Sequence, residues 1–259
     1  MIKAYFPNKT ITVQPTHSTT QPKRRFAIGD IHGCLQTLQK MVWEAINLTQ
    51  QDQLFLLGDY INRGPHSAGV LDFIIALQSQ GYQVFPLRGN HEAMLLESWQ
   101  DFQSLKHNKA HERFVDWVFD AALVDTKGQL APRFAVFLDN LPYYYELNDY
   151  YLVHAGFDFE FGVPNGLQDF EQMLWVRSFV PDDAQMPHKK RILHGHVVTM
   201  IDEIREAVKD RSAAIPLDNG CYKSLQPIYN PYYGNLCALN LDTYELLVIE
   251  NLDAEESKI

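Results

Sequence analysis

The chain is short of cysteine, of positive charge and of long apolar runs. Three cysteines, Cys34, Cys221 and Cys237, stand among 259 residues. An odd, sparse set builds no disulfide scaffold and suits a reducing compartment. Lys and Arg number 22 against 32 Asp and Glu, so the formal net charge is -10. That field repels phosphate backbones and argues against nucleic acid as the main partner. No apolar run approaches membrane-spanning length. The first residues lack the apolar core and cleavage pattern of a signal peptide. A cytoplasmic protein without a membrane or nucleic-acid partner is the expectation. Internal repeats and low-complexity tracts are also missing, apart from one recurring pattern at strand ends.

That pattern is clearest at Leu54-Phe55-Leu56-Leu57-Gly58-Asp59. Four apolar residues running into Gly-Asp predict a strand buried on both faces that ends at a sharp turn. Asp59 then sits at the carboxyl end of the strand, where open α/β sheets place their sites. Arg63 is near enough to share that end. An acid beside a forked cation suits a metal and a phosphate, although Gly-Asp also ends strands for turn reasons alone. Arg25-Phe26-Ala27-Ile28-Gly29-Asp30-Ile31-His32 repeats the pattern upstream. Tyr82 to Arg88, running into Gly89-Asn90-His91-Glu92, repeats it downstream. The intervals from Asp30 to Asp59 and from Asp59 to Asn90 are 29 and 31 residues. Leu35, Leu38, Met41, Val42, Ala45 and Ile46 predict a helix over about 35–47. Val70, Leu71, Ile74, Ile75 and Leu77 predict another over about 68–80, with Ser67 as its cap. These are βαβ units with their acids on one rim.

Residues 1–23 read as a peripheral segment, with a possible edge strand at 10–13 and a linker-like run after it. The rest, 24–259, reads as one domain. Residues 93–141 read as a helical insert, with core aromatics as the plain reading and a wall over the site as the sharper one. The second half is richer in strands. They are expected at 143–147, 150–153 and 190–193, with strands near 213–217, 235–241 and 244–250 completing a second sheet. Two of these strands run into His154-Ala155-Gly156 and His194-Gly195-His196. His17, His66 and His188 carry no motif and read as solvated side chains; His107 and His111, four apart, have a possible metal spacing but sit in a polar stretch that reads as a solvated face.

Five polar clusters at strand ends combine carboxylate, imidazole and amide oxygen. That donor mix suits Mn²⁺, Fe or Zn²⁺ better than Ca²⁺ or Mg²⁺. Their order and wording resemble the phosphoprotein-phosphatase branch of the calcineurin-like metallophosphoesterases, over about residues 25–250. The resemblance implies an α/β fold, a two-sheet β-sandwich flanked by helices, with two metal ions at the sheet edge. It implies Asp30 and His32 on the first metal, Asp59 bridging, and Asn90, His154 and His196 on the second. His194 is the open alternative to His196; the Gly-His wording and the valines after it favour His196. His91 would be the acid near the leaving group, with Asn62 beside it. Arg63, Arg177 (from Trp175-Val176-Arg177) and Asn90 would hold phosphate. Asp218-Asn219-Gly220-Cys221 resembles the family's late Asp-Thr-Gly segment.

The resemblance further implies a phosphomonoesterase in which hydroxide shared by two metals, Mn²⁺ first, attacks phosphorus in line. A Ser/Thr-type protein phosphatase is the leading reading, so the partner is a phosphoprotein or a small phosphorylated molecule. A symmetrical dinucleoside polyphosphate hydrolase is the alternative, and a catalytically inactive binding module a remote one. Asn62 stands where the eukaryotic-type motif has Asp. An amide cannot support charge on His91, which hurts most for a poor leaving group such as a serine alkoxide.

Overall fold

Phe26 and Ile28 face one way and Ala27 the other, because side chains alternate along a strand. This alternation gives the sheet two apolar faces and fixes what packs on each. The computed structural model describes residues 1–13, 22–105, 108–118, 120–160, 162–181, 190–225 and 230–253. His17, His107 and His188 lie outside the described residues. The strands are β1 (Ile2–Phe6), β2 (Lys9–Val13), β3 (Arg25–Ile28), β4 (Gln53–Leu56), β5 (Gln83–Pro86), β6 (Tyr144–Glu146), β7 (Tyr150–Val153), β8 (Arg191–His194), β9 (Ala214–Pro216), β10 (Asp218–Asn219), β11 (Asn235–Asn240) and β12 (Leu246–Glu250). The helices are α1 (Leu35–Lys40), α2 (Ser67–Ser79), α3 (Asn90–Leu105), α4 (Asn108–Trp117), α5 (Pro132–Asp139), α6 (Val163–Gly166), α7 (Gln172–Trp175) and α8 (Ile201–Lys209). A π-helical turn at Met41–Ala45 continues α1.

One sheet runs β10-β11-β3-β4-β5, with β12 on the far side of β11; the other runs β2-β1-β6-β7-β8-β9. β3, β4 and β5 are parallel, joined through α1 and α2 as the βαβ pattern requires. Ala27, Phe55, Leu57 and Leu87 meet Ala4, Leu152, Leu193 and Ile215 between the sheets. Ile28, Leu54, Leu56 and Val84 pack outward against Leu38, Val42, Leu71, Ile74, Phe114 and Phe134 of the helices. The result is an α/β sandwich of two six-stranded sheets flanked by helices. Among the described residues no helix is long and apolar enough to cross a membrane.

Three local expectations change in the folded chain. The strands at 235–241 and 244–250 do not complete the second sheet: β11 pairs with β3 and β12, and only β9 joins β8. Strand patterns give no pairing partner, so order was open until long-range contacts formed. The edge strand expected near 10–13 forms as β2, but the residues before it, Ile2–Phe6, also enter the sheet, between β2 and β6. Ile2 and Ala4 are thereby buried. Ser67 does not cap α2. Its hydroxyl accepts the N–H of Asn62, and Asp120 accepts the N–H of Ala68 instead.

Glu146 ties the outer strands together. It accepts from Tyr5 on β1 and from Lys190 just before β8, the latter at 2.6 Å. Burial would raise its pKa, but those hydrogen bonds outweigh burial and hold it at about 2. A depressed carboxyl stabilises the fold above its unfolded pKa and ceases to as pH falls from about 4.5 to about 2. Glu146→Gln should therefore cost about 1–3 kcal/mol at pH 7, discounted for partial exposure. Urea midpoints of both proteins at pH 7 and pH 3 check this: the gap should shrink in acid. An equal gap at both pH values would mean that packing, not charge, is what the glutamate supplies.

Candidate metal centre

Both sheets deliver their polar strand ends to one edge. β3 leads to Asp30 and His32, β4 to Asp59, and β5 to Asn90 and His91 at the start of α3. β7 leads to His154 and β8 to His194 and His196. The turns are tight and strained. His32, Asp59, Asn62, Arg63 and His196 all have φ between 48° and 70°. Such left-handed residues are costly without glycine and cluster where function needs them. Gly58 has φ of 102°, and a Cβ there would lie 2.8 Å from both the Gly89 backbone and His154 Nδ1. A Cβ on Gly195 would lie 2.0 Å from Asp30 Oδ1. Only glycine lets these strand ends approach so closely.

Asp59 is central and buried. Its Oδ2 lies 3.4 Å from His32 Nε2, and its Oδ1 lies 3.5 Å from His154 Nε2. Asn90 Oδ1 lies 2.9 Å from His154 Nε2 and 3.0 Å from His196 Nδ1. Asp30 accepts the backbone N–H of His196 on both carboxylate oxygens. His32 Nδ1 donates to the Ile61 carbonyl and His154 Nδ1 to the Leu57 carbonyl. Each carbonyl holds its ring in the tautomer whose Nε2 lone pair faces Asp59.

Electrostatics points the same way. Burial, then the charges of Asp218 and Asp59, push Asp30 well above the usual carboxylate range. Burial pushes Asp59 up to about 7, against the lowering by the His91 N–H. Burial lowers His32 well below the usual imidazole range, His154 to about 4 and His196 to about 3. The imidazoles are neutral and keep lone pairs to offer, while the carboxylates crowd together. Divalent cations relieve both conditions at once. Two groups have donor atoms within 4.8 Å of one another: His32, Asp59 and His91, and Asp59, His154 and His196. His196 Nε2 is buried with no hydrogen-bond partner. The residues fit two cations with Asp59 common to both groups.

Some sequence candidates fall elsewhere. His194 lies against Phe179 and its Nδ1 meets the Gly195 carbonyl, so His196 is the one brought to Asp59. Arg63 is exposed, stacks over the Tyr222 ring at 4.4 Å and hydrogen-bonds its hydroxyl. One Arg63 nitrogen is 3.3 Å from His91 Nε2. Arg177 is exposed, and its charge lowers His196. Asn62 does not pair with His91: its Nδ2 meets the Trp117 carbonyl at 3.5 Å. Asn62 Oδ1 and His91 Nδ1 are both buried without partners.

Two residues that pattern reading assigned no role matter here. Tyr222 fixes Arg63, and nothing in its spacing signals that. Glu92 is buried, and its carboxylate accepts the N–H groups of Gly89, Asp59 and Tyr60 at 2.8–3.0 Å and of Ile61 at 3.3 Å. Burial and then the Asp59 charge push it up to about 8 against those donors. Its position in Gly89-Asn90-His91-Glu92 was the only cue.

The chain is similar to known proteins. A model of the family described as "Calcineurin-like phosphoesterase" matches residues 24–231. The chain is 28% identical over 162 residues to "Bis(5'-nucleosyl)-tetraphosphatase, symmetrical" of Ectopseudomonas mendocina (strain ymp), covering 62% of this chain and 54% of that one. It is 30% identical over 131 residues to the protein of the same name from Pseudomonas putida (strain W619), covering 51% and 41%. The chain thus spans about half the length of the curated relatives it matches. Among solved structures, a Saccharomyces cerevisiae serine/threonine phosphatase with similarity to human phosphatase PP5 matches with TM-score 0.59 and 16% identity, covering 89% of this chain and 80% of that one. A "putative diadenosine tetraphosphatase" matches with TM-score 0.57 and 21% identity, covering 88% and 93%. These last two show a common fold. With strand-end aspartates and histidines gathered at one edge of that fold, and a family model running from β3 past α8, the chain belongs to the calcineurin-like phosphoesterases, a family of metal-dependent phosphoester hydrolases.

Proposed function

We propose that this chain hydrolyses dinucleoside polyphosphates symmetrically, releasing nucleoside diphosphates. The observation that carries the reading is at His91. Its Nδ1 is buried without a hydrogen-bond partner, and Asn62 is the residue where the related eukaryotic-type motif has Asp. A histidine so placed assists a poor leaving group weakly and suffices for a nucleoside diphosphate, which is itself a stable leaving group. The names of the Ectopseudomonas and Pseudomonas relatives support the same substrate class. A Ser/Thr-type protein phosphatase, the leading reading of the sequence, is second; the fold shared with the yeast phosphatase favours it only at the level of architecture.

In this reading Asp30 and His32 hold one cation, and Asn90, His154 and His196 the other, with Asp59 common to both. Mn²⁺ is the proposed ion, and Fe or Zn²⁺ also suits these donors. When bound, the cations supply Lewis acidity toward water and toward the phosphoryl oxygens. His91 Nε2 lies 3.9 Å from Asp59 but only 3.3 Å from the Arg63 guanidinium. At 3.3 Å the guanidinium and the ring are in direct contact and can turn toward one anion together, so in this reading His91 faces the leaving group and is not a ligand. Arg63, braced by Tyr222, and Arg177 across the site clamp the phosphoryl oxygens. The buried, unpaired cysteines fit a reducing, cytoplasmic setting.

The test is a side-by-side assay, with Mn²⁺, of diadenosine tetraphosphate, a phosphoserine peptide and a phosphotyrosine peptide. ADP as the sole product, at a kcat/KM above both peptides, is expected. Faster turnover of phosphoserine would return the protein-phosphatase reading to first place. A leaving-group series refines it. His91→Ala should slow an alkyl phosphate several-fold more than p-nitrophenyl phosphate. Asn62→Asp should raise activity on phosphoserine selectively. Equal losses across the series would make His91 a positioning group only.

A further inference from the structure

A cavity of about 410 Å³ opens beside the metal centre, and its walls belong to no role described above. Its floor is α3. Ala93, Met94, Glu97 and Gln100 line it, and their spacing puts them on one helix face. Asn90 lies on the same face one turn earlier. From Asn90 to Gln100 the helix rises about 15 Å, the scale of an extended nucleoside diphosphate.

The near end of the cavity is Trp175. Its ring stands edge-on to His196 at 6.4 Å and is 40% exposed, high for a residue that could pack a core. Phe170 and Tyr143 line the same cavity and pack edge to face at 5.1 Å. Arg88 lies over Tyr143, its N–H groups given to the carbonyls of Leu138, Asp139 and Leu141. The remaining charged side chains on the lining are Glu97, Asp139 and Glu171. The arginines that suit phosphate, Arg63 and Arg177, lie back at the metal centre. Charge therefore runs from cationic at the metals to acidic in the cavity.

We propose that this groove is a nucleoside subsite: Trp175 and Phe170 stack the base, and the carboxylates accept from its amino groups or from ribose hydroxyls. The assignment rests on the dinucleoside reading and places one nucleoside of that substrate. Its phosphates stay at the metals, and only the neutral nucleoside enters the acidic groove. Aromatic faces take any base without sequence readout, and carboxylates select groups that donate. An extended peptide fits less well. The groove is walled by a helix and side chains, and the backbone N–H groups of Arg88 and Tyr143 already pair with Pro142 and Tyr5, leaving no ladder to join.

Calorimetry of the metal-loaded protein with ADP and with inorganic pyrophosphate tests the groove directly. ADP should bind at least about tenfold tighter than pyrophosphate, the size of one base stacked on an aromatic ring. Trp175→Ala should bring the two affinities to within about twofold, Phe170→Ala should act in the same direction, and Trp175→Phe should retain part of the difference. For diadenosine tetraphosphate, KM should rise about tenfold in Trp175→Ala, a larger loss than for p-nitrophenyl phosphate. Equal affinity of the wild type for ADP and pyrophosphate overturns the groove. So does wild-type turnover of diadenosine tetraphosphate with KM and ADP affinity unchanged in both alanine variants, and that result leaves the substrate reading standing. An ADP preference lost in Trp175→Ala, without turnover of the dinucleotide, upholds the groove and sinks the substrate reading instead. A rise in KM confined to phosphopeptides overturns both.

Discussion

Asp59→Asn is expected to lower turnover by about 10³-fold or more and to lower the cation content of the protein, because one carboxylate serves both donor groups. The geometry makes the loss uneven. Asp59 Oδ1 accepts the backbone N–H of His91 at 3.0 Å, so an asparagine must keep its oxygen there. Its NH₂ then takes the place of Oδ2, which lies 3.4 Å from His32 Nε2. An amide nitrogen has no lone pair to offer a cation. The ion beside His32 should go first, and the ion beside His154 and His196 should be weakened but partly kept. Folding should not suffer. Asp59 is buried and pushed up to about 7, so a neutral isostere removes a charge the interior resists. Metal content per chain, p-nitrophenyl phosphate hydrolysis and Tm would all be measured. Two retained ions at near-normal rate would end the bridging assignment. A collapsed Tm would make Asp59 structural.

Glu92→Gln should produce the opposite signature, a loss of stability that drags the metal centre with it. Oε2 of Glu92 accepts the N–H groups of Gly89 and Asp59, and Oε1 those of Tyr60 and Ile61. Every contact is a donor, so these N–H groups favour the carboxylate against the burial and Asp59 charge that raise its pKa to about 8, and the variant is compared at about pH 9, where the acid is ionised. Glutamine keeps one oxygen and turns an NH₂ toward two backbone N–H groups, which are then buried without an acceptor. Leaving such donors unsatisfied costs about 2–4 kcal/mol in all. For a chain of this size that lowers Tm by roughly 5–10 °C. Cation affinity should fall as well, since Glu92 is what joins the turn after β4, where Asp59 has φ of 51°, to the first turn of α3. Thermal melts and metal titration of the variant decide it. An unchanged Tm with normal affinity would show that other contacts hold that turn.

The polar strand ends were legible because their signals are local. Leu54 to Asp59 announces a buried strand and its turn within six residues, and the same wording recurs at Asp30 and Asn90. Periodicity placed α1 and α2 for the same reason: neighbours on one helix face are three or four residues apart. His196 over His194 was also anticipated from wording, but what separates them physically is direction. Phe179 takes the one ring and Asn90 meets the other.

By itself the sequence determined which polar residues lie at strand ends, since strand, glycine turn and acid are adjacent in the chain. Only the tertiary structure decided which strands share a sheet, that Ile2–Phe6 closes one of them, and that Ser67 serves Asn62 instead of its helix. It also decided what surrounds His91: Asn62 occupied with Trp117, Arg63 turned toward the ring and held by Tyr222, 159 residues away. The reason is that a hydrogen bond is set by a few tenths of an ångström between atoms, and such distances exist only once distant segments have packed. Residue order encodes the pattern that drives packing. The polar atoms left without partners, and the groove beside Trp175, are consequences of the packing itself.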